Sequence, residues 1–250
     1  MTGRPVRTLS SLLAVVMAAA CTSYFEIPIE TPIRPKLDTT GFQRVLVAGF
    51  LAGGSEDLDG NLETTRLLRS QLRTKSDLRV IDTDVLPLLD VAAEGTDAAT
   101  QAAAKAPIKE EKVLESFEHL FAKVDYWKKV GEEFQQPLIV TGTLMFTPQQ
   151  RNQMVQRDEE VFDSFGRRSV RPVRSFQERK GFQLEGRFIF IDGRTGATLF
   201  SQAFGEQVLY SAQQSTPALS SYFELMDRLI PTFLSTLSSQ KIKGTRILLQ

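Results

Sequence analysis

The chain has 250 residues, of which 42% are hydrophobic and 24% charged, enough to bury a core beneath an ordinary soluble surface. Thirty basic residues balance 30 acidic ones, so nothing indicates the basic face that a nucleic-acid partner normally requires. A single cysteine, Cys21, excludes an internal disulfide and a cysteine-cluster metal site, and the single histidine, His119, leaves little for imidazole chemistry. We therefore expect no metal, no cofactor and no nucleic-acid partner.

The amino terminus has the pattern of a bacterial secretory signal. Arg4 and Arg7 form a short positive region, and residues 9–20 are apolar apart from two serines and end in small side chains. This run is shorter than the roughly 20 apolar residues that a membrane-spanning helix needs. We predict that residues 1–20 are a signal peptide, and the alternative is an apolar helix that packs on the domain.

Cys21 follows three alanines in a pattern that resembles a lipobox, in which the cysteine is acylated and becomes the first mature residue. The same alanines also form an Ala-x-Ala site for the ordinary signal peptidase, which would leave a free thiol. We favour lipidation, because a lone exposed thiol is reactive in an oxidising compartment whereas an acylated one is an anchor. Thr22 in place of aspartate resembles the pattern sorted to the outer membrane. The prediction is a lipid-anchored protein that faces the periplasm.

The next segment, residues 21–41, contains three prolines and no periodic apolar face, which predicts an extended, lipidated tether. A single domain is predicted for residues 42–250. Its first strand is the apolar run Arg44–Phe50. A Gly/Asp loop separates this strand from a helix at Asn61–Arg73, and a second strand follows at Leu78–Asp82.

Two segments in the middle of the chain are predicted to be mobile insertions. Residues 91–107 are rich in alanine and carry no large apolar side chain after the first position, and residues 149–180 are long, polar and charged. Between them, apolar residues at intervals of three and four predict one helix from Lys109 to about Val130, which Gly131 ends. Pro137–Phe146 reads as a strand.

The carboxy-terminal part predicts a hairpin, a helix and a last strand. Strand Phe182–Asp192 turns through four residues, two of them glycine, into strand Ala197–Tyr210. A helix from Thr216 to about Ser239 and a strand at Thr245–Leu249 follow. The predicted order, β-α-β-α-β-β-β-α-β, indicates an α/β fold with a single mixed sheet flanked by helices, preceded by the signal peptide and tether.

Three parts of this pattern carry a family resemblance: the opening strand, helix and strand up to Asp82, the segment Ile139–Thr143, and the turn Phe190–Ala197. They resemble a group of envelope α/β domains that includes the CsgG curli-secretion lipoproteins, the amino-terminal domain of TolB, and lipoproteins that activate penicillin-binding proteins. The resemblance implies an accessory role in an envelope machine. CsgG forms pores with membrane-spanning β-hairpins, but the charges of residues 149–180 leave no lipid-facing alternation, so we predict no such pore.

The densest basic cluster of the sequence lies in this charged segment. Guanidinium groups form bidentate contacts with phosphates and carboxylates, so the cluster is a candidate contact for lipid phosphates, anionic glycan or an acidic protein. The alternative is a solvated loop balanced by the acids at 158–163. The four residues are Arg167, Arg168, Arg171 and Arg174.

No catalytic or metal-ligating motif stands out, and the sequence predicts a non-catalytic envelope lipoprotein that docks onto an assembly, secretion or cell-wall complex. Two alternatives remain open. The first is a hydrolase of envelope glycan, which would need a cleft with paired carboxylates. The second is a periplasmic small-molecule-binding lipoprotein, which would need an apolar pocket at the strand ends.

Overall fold

The computed structural model describes residues 24–162, 164–211, 213–214 and 216–249. The chain divides into two units. The larger is Lys36–Ser238, and the smaller combines Met1–Pro35 with Ser239–Gln250, of which residues 24–35 and 239–249 are described.

The larger unit alternates short strands and helices before three long strands and a final helix. In chain order its elements are β2 (Arg44–Val47), β3 (Leu51–Gly54), α1 (Gly60–Lys75), β4 (Arg79–Val80), α2 (Leu88–Ala93), α3 (Ala98–Lys105), α4 (Glu111–Glu115), a 3-10 helix (Glu118–Ala122), α5 (Val124–Glu133), β5 (Leu138–Phe162), β6 (Arg168–Asp192), β7 (Thr198–Ser211) and α6 (Ala218–Leu237).

These strands form one mixed sheet in the order β4-β2-β5-β6-β7, with β3 also paired to β5. Strands β2, β3 and β4 run parallel to their neighbours, whereas β5, β6 and β7 pair antiparallel. The predicted α/β class with a mixed sheet flanked by helices is therefore confirmed.

The sheet separates two hydrophobic cores, because side chains along a strand alternate between its faces. On β5, Val140 and Phe146 pack in the core formed with α1 and α6, whereas Ile139 and Met145 pack in the core formed with α2–α5. Both faces of the central strands are buried, which explains why these strands read as continuous apolar runs in the sequence.

The buried hydroxyl of Tyr222 joins the helices α1 and α6. Thr64 donates from Oγ1 to the Gly60 carbonyl at 2.6 Å, and the Tyr222 hydroxyl bonds to the same Thr64 oxygen. Burial raises the pKa of Tyr222 far above its ordinary value. The hydroxyl is therefore a neutral donor inside the core.

Tyr222→Phe is expected to lower the free energy of unfolding by about 1–3 kcal/mol, because the buried Thr64 hydroxyl loses its donor. Below about pH 10, the ordinary tyrosine pKa, the Tyr222 hydroxyl is neutral in the folded and in the unfolded chain, so it makes its full contribution to the free energy of unfolding. Above that pH the unfolded chain releases the proton and the folded chain retains it, so the contribution declines. Urea unfolding of both proteins at pH 8 and pH 11 checks this, and a stability difference that does not narrow at pH 11 contradicts it.

The single helix predicted from Lys109 to Val130 is wrong in its continuity, since the chain forms α4, the 3-10 helix and α5 instead. The Leu120 carbonyl accepts from the Lys123 backbone N–H at 3.0 Å and from the indole Nε1 of buried Trp127 at 3.0 Å. These two donors satisfy the carbonyl without a continuing helix, so the chain can turn at Lys123. Gly131 lies inside α5 rather than ending it.

The alanine-rich segment 91–107, predicted as a mobile insertion, is structured. It contains the end of α2 and the whole of α3, and Ala92 and Ala93 are buried in the same core as Trp127. Ala103 and Ala104 pack against that core from α3. Alanine has the highest intrinsic helix propensity and its small side chain lets helices approach closely, so no large apolar residue is needed.

Part of the segment predicted as an extended tether, residues 21–41, forms a strand of the smaller unit. Strand β1 (Tyr24–Ile33) pairs antiparallel with β8 (Gln240–Leu249) over ten residue pairs. Pro28 and Pro32 suggested a tether, but their spacing of four places both missing N–H groups on the same side of β1. A strand tolerates prolines at an edge, where the missing N–H groups face away from the partner strand.

Candidate docking arm

The largest unexpected feature is a long hairpin that continues β5 and β6 beyond the sheet. Within the sheet, the edge of β5 that faces away from β6 pairs with β3 as far as Phe146. The edge of β6 that faces away from β5 pairs with β7 from Arg179 onward. Further out, among the described strands, β5 and β6 pair only with each other, up to Phe162 and Arg168. We call residues 149–162 and 168–178, with the turn between them, the arm. At about 3.3 Å per residue its strands reach roughly 45 Å.

Most of residues 149–180, predicted as a mobile insertion, lie in paired strands. The register continues unbroken from Leu138 opposite Asp192 to Phe162 opposite Arg168, and Gly166 supplies a positive φ of 73° in the turn. Both faces of the arm are largely exposed, so no strict apolar alternation marks the strands in the sequence. The arm is stabilised by pairs of residues that face each other across its two strands, and these pairs become visible only once the register is known.

One face of the arm carries most of its exposed apolar side chains. Met154 lies opposite Phe176, and Phe162 and Val170 lie further along the same face. Phe176 is 80% exposed and Phe162 64% exposed, and Phe165 in the turn is 82% exposed. The other face carries Val161 and Val173 between charged residues. We call the first of these faces, defined by Met154, Phe162, Val170 and Phe176, the apolar face of the arm.

The structure divides the four arginines that the sequence grouped together. Arg168 and Arg174 lie on the apolar face, Arg171 lies on the opposite face, and Arg167 is in the turn. Three have acidic or aromatic neighbours: Arg168 forms an ion pair with Glu160, Arg171 lies opposite Glu159, and the Arg167 guanidinium lies 5.5 Å from the centre of the Phe165 ring. The four do not form one surface, and their contact with an anion stays a prediction.

A pocket of about 580 Å³ lies at the base of the arm. Pro148, Phe182 and Tyr210 contribute to its wall, together with Lys180. The Tyr210 hydroxyl donates to Oε2 of Glu224 at 2.7 Å, and Arg228 holds the same carboxylate at 2.6 Å. Burial, together with the bond to Glu224, raises the pKa of Tyr210. The pocket thus combines an apolar wall with polar groups beside the point where the arm leaves the sheet.

A second pocket, of about 370 Å³, lies on the side of the sheet covered by α4. Four glutamates contribute to it: Glu111, Glu115, Glu118 and Glu185. Arg187 donates from Nη1 to Glu118 Oε2 at 3.4 Å, which offsets part of the negative charge. Within the described ranges, no group of three or more histidine, cysteine or acidic side chains is arranged to hold a metal ion.

Cys21 lies outside the described residues, so its lipidation stays a prediction from the sequence. His119 is exposed, and its Nδ1 lies 2.9 Å from the Ser116 carbonyl oxygen. In the part of the chain that the structure describes, no helix has the length and apolar character to cross a membrane. Sequence reasoning missed both pockets and the arm, and the only sequence signal for the arm was its length.

No family model and no curated protein matches the chain. The solved structures that are similar to it at low identity include the following three. Lipoprotein GNA1162 of Neisseria meningitidis is 13% identical, with a TM-score of 0.34 over 76% of this chain and 96% of that one. A putative neuraminyllactose-binding hemagglutinin homolog of Helicobacter pylori is 7% identical, with a TM-score of 0.39 over 82% and 88%. The PelC dodecamer of Paraburkholderia phytofirmans is 14% identical, with a TM-score of 0.35 over 88% and 99%.

The first of these structures is of a lipoprotein. Likeness at this level carries no argument about function, and the resemblance to CsgG and TolB domains stays a prediction.

Proposed function

We propose that the chain is a non-catalytic lipoprotein of the bacterial envelope, anchored to the outer membrane through Cys21 and facing the periplasm. Its arm docks onto a protein of an envelope assembly or secretion complex. The observation that carries the proposal is the apolar face of the arm, which exposes Phe162 and Phe176 far from either core. The anchor is supported by the sequence of the amino terminus, where Arg4 and Arg7 precede an apolar run that ends at Cys21.

Two physical arguments support a protein partner for the arm. A two-stranded hairpin is only marginally stable in water, so the arm gains stability when another surface covers it. Each of its outer edges also carries backbone N–H and C=O groups that can pair with an added strand. Docking would therefore bury exposed phenylalanines and extend the backbone ladder at the same time.

The charges of the arm support a partner in water rather than lipid. Residues 149–180 include eight basic and five acidic side chains. They occupy both faces: Glu160 and Arg174 lie on the apolar face, and Arg157 and Glu159 lie on the other. Such side chains are costly in hydrocarbon, whereas a polar rim around an apolar centre is normal in protein interfaces.

The test compares two cross-strand pairs that are adjacent on the arm but lie on opposite faces. Met154→Glu with Phe176→Glu places two carboxylates on the apolar face, and Gln153→Glu with Gln177→Glu places two on the other face. A photo-reactive phenylalanine analogue replaces Phe165 in each protein, and cross-linking is carried out in intact cells. We expect the first pair to reduce the cross-linked product at least about tenfold, because it disrupts the apolar centre of the interface.

The control pair is expected to leave cross-linking unchanged, and both proteins should retain the melting temperature of the parent because these four side chains are outside both cores. Equal cross-linking by the two variants would show that the apolar face is not the docking surface. A melting temperature that falls only in the first variant would also contradict the proposal, because Met154 and Phe176 would then stabilise the fold.

The acidic pocket favours a second candidate function, hydrolysis of an envelope glycan. Glycosidases use a pair of carboxylates, one as acid and the other as base or nucleophile, and Glu118 and Glu185 line one pocket. Glu185→Gln is then expected to abolish glycan cleavage by the purified protein, with Glu132→Gln, outside the pocket, as the control. If the parent protein releases no reducing ends from purified envelope glycan, this candidate is wrong.

A further inference from the structure

The smaller unit forms a ribbon with two chemically different faces. In the antiparallel register, Ile27 lies opposite Arg246 and Ile29 opposite Gly244, so these residues share one face. Ile33 lies further along the same face, because side chains two residues apart on a strand point the same way. The three isoleucines are 42%, 38% and 45% exposed. We call this the isoleucine face.

The opposite face of the ribbon carries charges. Glu30 lies opposite Lys243, and its carboxylate oxygens lie 3.1 Å from the Lys241 ammonium nitrogen and 3.9 Å from that of Lys243. Glu26 lies on this face as well, opposite Ile247. The two faces of the described strands therefore differ in charge. The isoleucine face carries one charged side chain, Arg246, whereas the opposite face carries the ion pairs of Glu30 together with Ile247, which is 59% exposed.

The position of Cys21 connects this ribbon to a membrane. β1 begins at Tyr24, three residues after Cys21, and three extended residues span at most about 10 Å. Ile27 is six residues from Cys21, which is at most about 20 Å. If Cys21 is acylated, Tyr24 and Ile27 lie within these distances of the lipid surface.

We propose that the isoleucine face of the ribbon lies on the bilayer surface, with its isoleucines at the boundary between lipid headgroups and acyl chains. This inference depends on the proposed lipid anchor at Cys21. The interfacial region suits an open ribbon, because its backbone edges stay hydrated there, which they would not in the hydrocarbon centre. Arg246, opposite Ile27, can extend its guanidinium to lipid phosphates while its methylene stem lies along the apolar side chains.

The anchor makes even weak interfacial binding effective. A group tethered within about 20 Å of a surface experiences a high effective concentration of that surface, so a small apolar area is sufficient to hold it there. The ribbon would then fix the membrane-proximal end of the protein at two sites, the acyl chains and the isoleucine face. The alternatives are that a second copy of the chain, or another protein, covers the isoleucine face instead of lipid.

The test uses the absence of other cysteines in the sequence. Because acylation blocks Cys21, a cysteine introduced at Ile29 or at Thr245 is the single reactive thiol of the full-length lipidated chain. Thr245 lies opposite Pro28 on the charged face and is the matched control. Each protein is labelled with the fluorophore NBD and reconstituted in vesicles of phosphatidylcholine and phosphatidylglycerol, with or without lipid that carries a doxyl quencher near the headgroup.

We expect the fluorescence at position 29 to shift to the blue and to be lost when the doxyl lipid is present, and the fluorescence at position 245 to change in neither respect. Equal quenching at both positions, or none at either, overturns the proposal. A blue shift at position 29 without quenching also overturns it, because a protein would then cover the face. If NBD labels Cys21 of the parent protein, Cys21 is not acylated. This result contradicts the lipid anchor of the proposed function, and it is distinct from the fluorescence results that contradict the membrane contact of the isoleucine face.

Discussion

Cys21→Ser is expected to abolish incorporation of radiolabelled palmitate into the protein. The thioether and the amide of the modified cysteine carry the acyl chains, and serine offers no sulfur for this linkage. Each buried methylene contributes about 0.8 kcal/mol to membrane binding, so two or three chains hold a protein durably and their loss removes the anchor. The parent protein should be labelled, and it should enter the detergent phase in a Triton X-114 separation.

Ser23→Ala is the control for this experiment, since it alters the same segment without removing sulfur. It should be labelled as strongly as the parent. Equal labelling of the parent and of Cys21→Ser would exclude Cys21 as the attachment site. No labelling of the parent, combined with a thiol that reacts with maleimide, would show that Cys21 is not lipidated.

Gly131→Ala is expected to destabilise the larger unit, although alanine favours a helix over glycine by about 1 kcal/mol. Gly131 is buried within α5, where the helix passes over the turn after β6. A Cβ atom at this position would lie 1.7 Å from the carbonyl oxygen of Gly193 and 2.4 Å from its carbonyl carbon. Backbone atoms cannot move aside as a flexible side chain would, so α5 must shift away from the sheet.

That shift would loosen the packing of Trp127 and Val130, which are buried on the same helix. Overpacking of a core typically costs about 1–3 kcal/mol, which for a domain of this size lowers the melting temperature by roughly 2–12 °C. Thermal unfolding followed by circular dichroism measures this. Gly205→Ala is the control, because its new Cβ would meet only the Glu185 side chain, at 3.6 Å. A Gly131→Ala protein as stable as Gly205→Ala would contradict the close approach of α5 to the turn.

The sequence predicted the parts of the fold in which one element's pattern is sufficient. The predicted strands Arg44–Phe50 and Pro137–Phe146 are apolar because both faces of the sheet are buried there. The sheet contains the first of them as Arg44–Val47 and the second from Leu138 onward. The last helix was predicted at 216–239 and is observed at Ala218–Leu237, because its apolar residues repeat at helical spacing over five turns. The hairpin turn at 193–196 was recognised from its glycines.

The arm and the ribbon were missed for the same physical reason. Each is a pair of strands whose stability comes from pairing across the two strands. In the arm the outermost pair is Phe162 and Arg168, and in the ribbon Tyr24 pairs with Leu249, far away in the sequence. Strands that face solvent on both sides show no strict alternation, and prolines on an edge resemble those of a linker. A single segment read alone therefore appears unstructured.

The amino-acid sequence by itself determined the class of fold, the apolar strands of the sheet and the candidate anchor at Cys21, because each depends on residues close together in the chain. Only the tertiary structure decided which exposed side chains share a surface. It separated Arg171 from Arg168 and brought Met154 beside Phe176, since register, and not spacing in the sequence, sets which residues of two strands point to the same side.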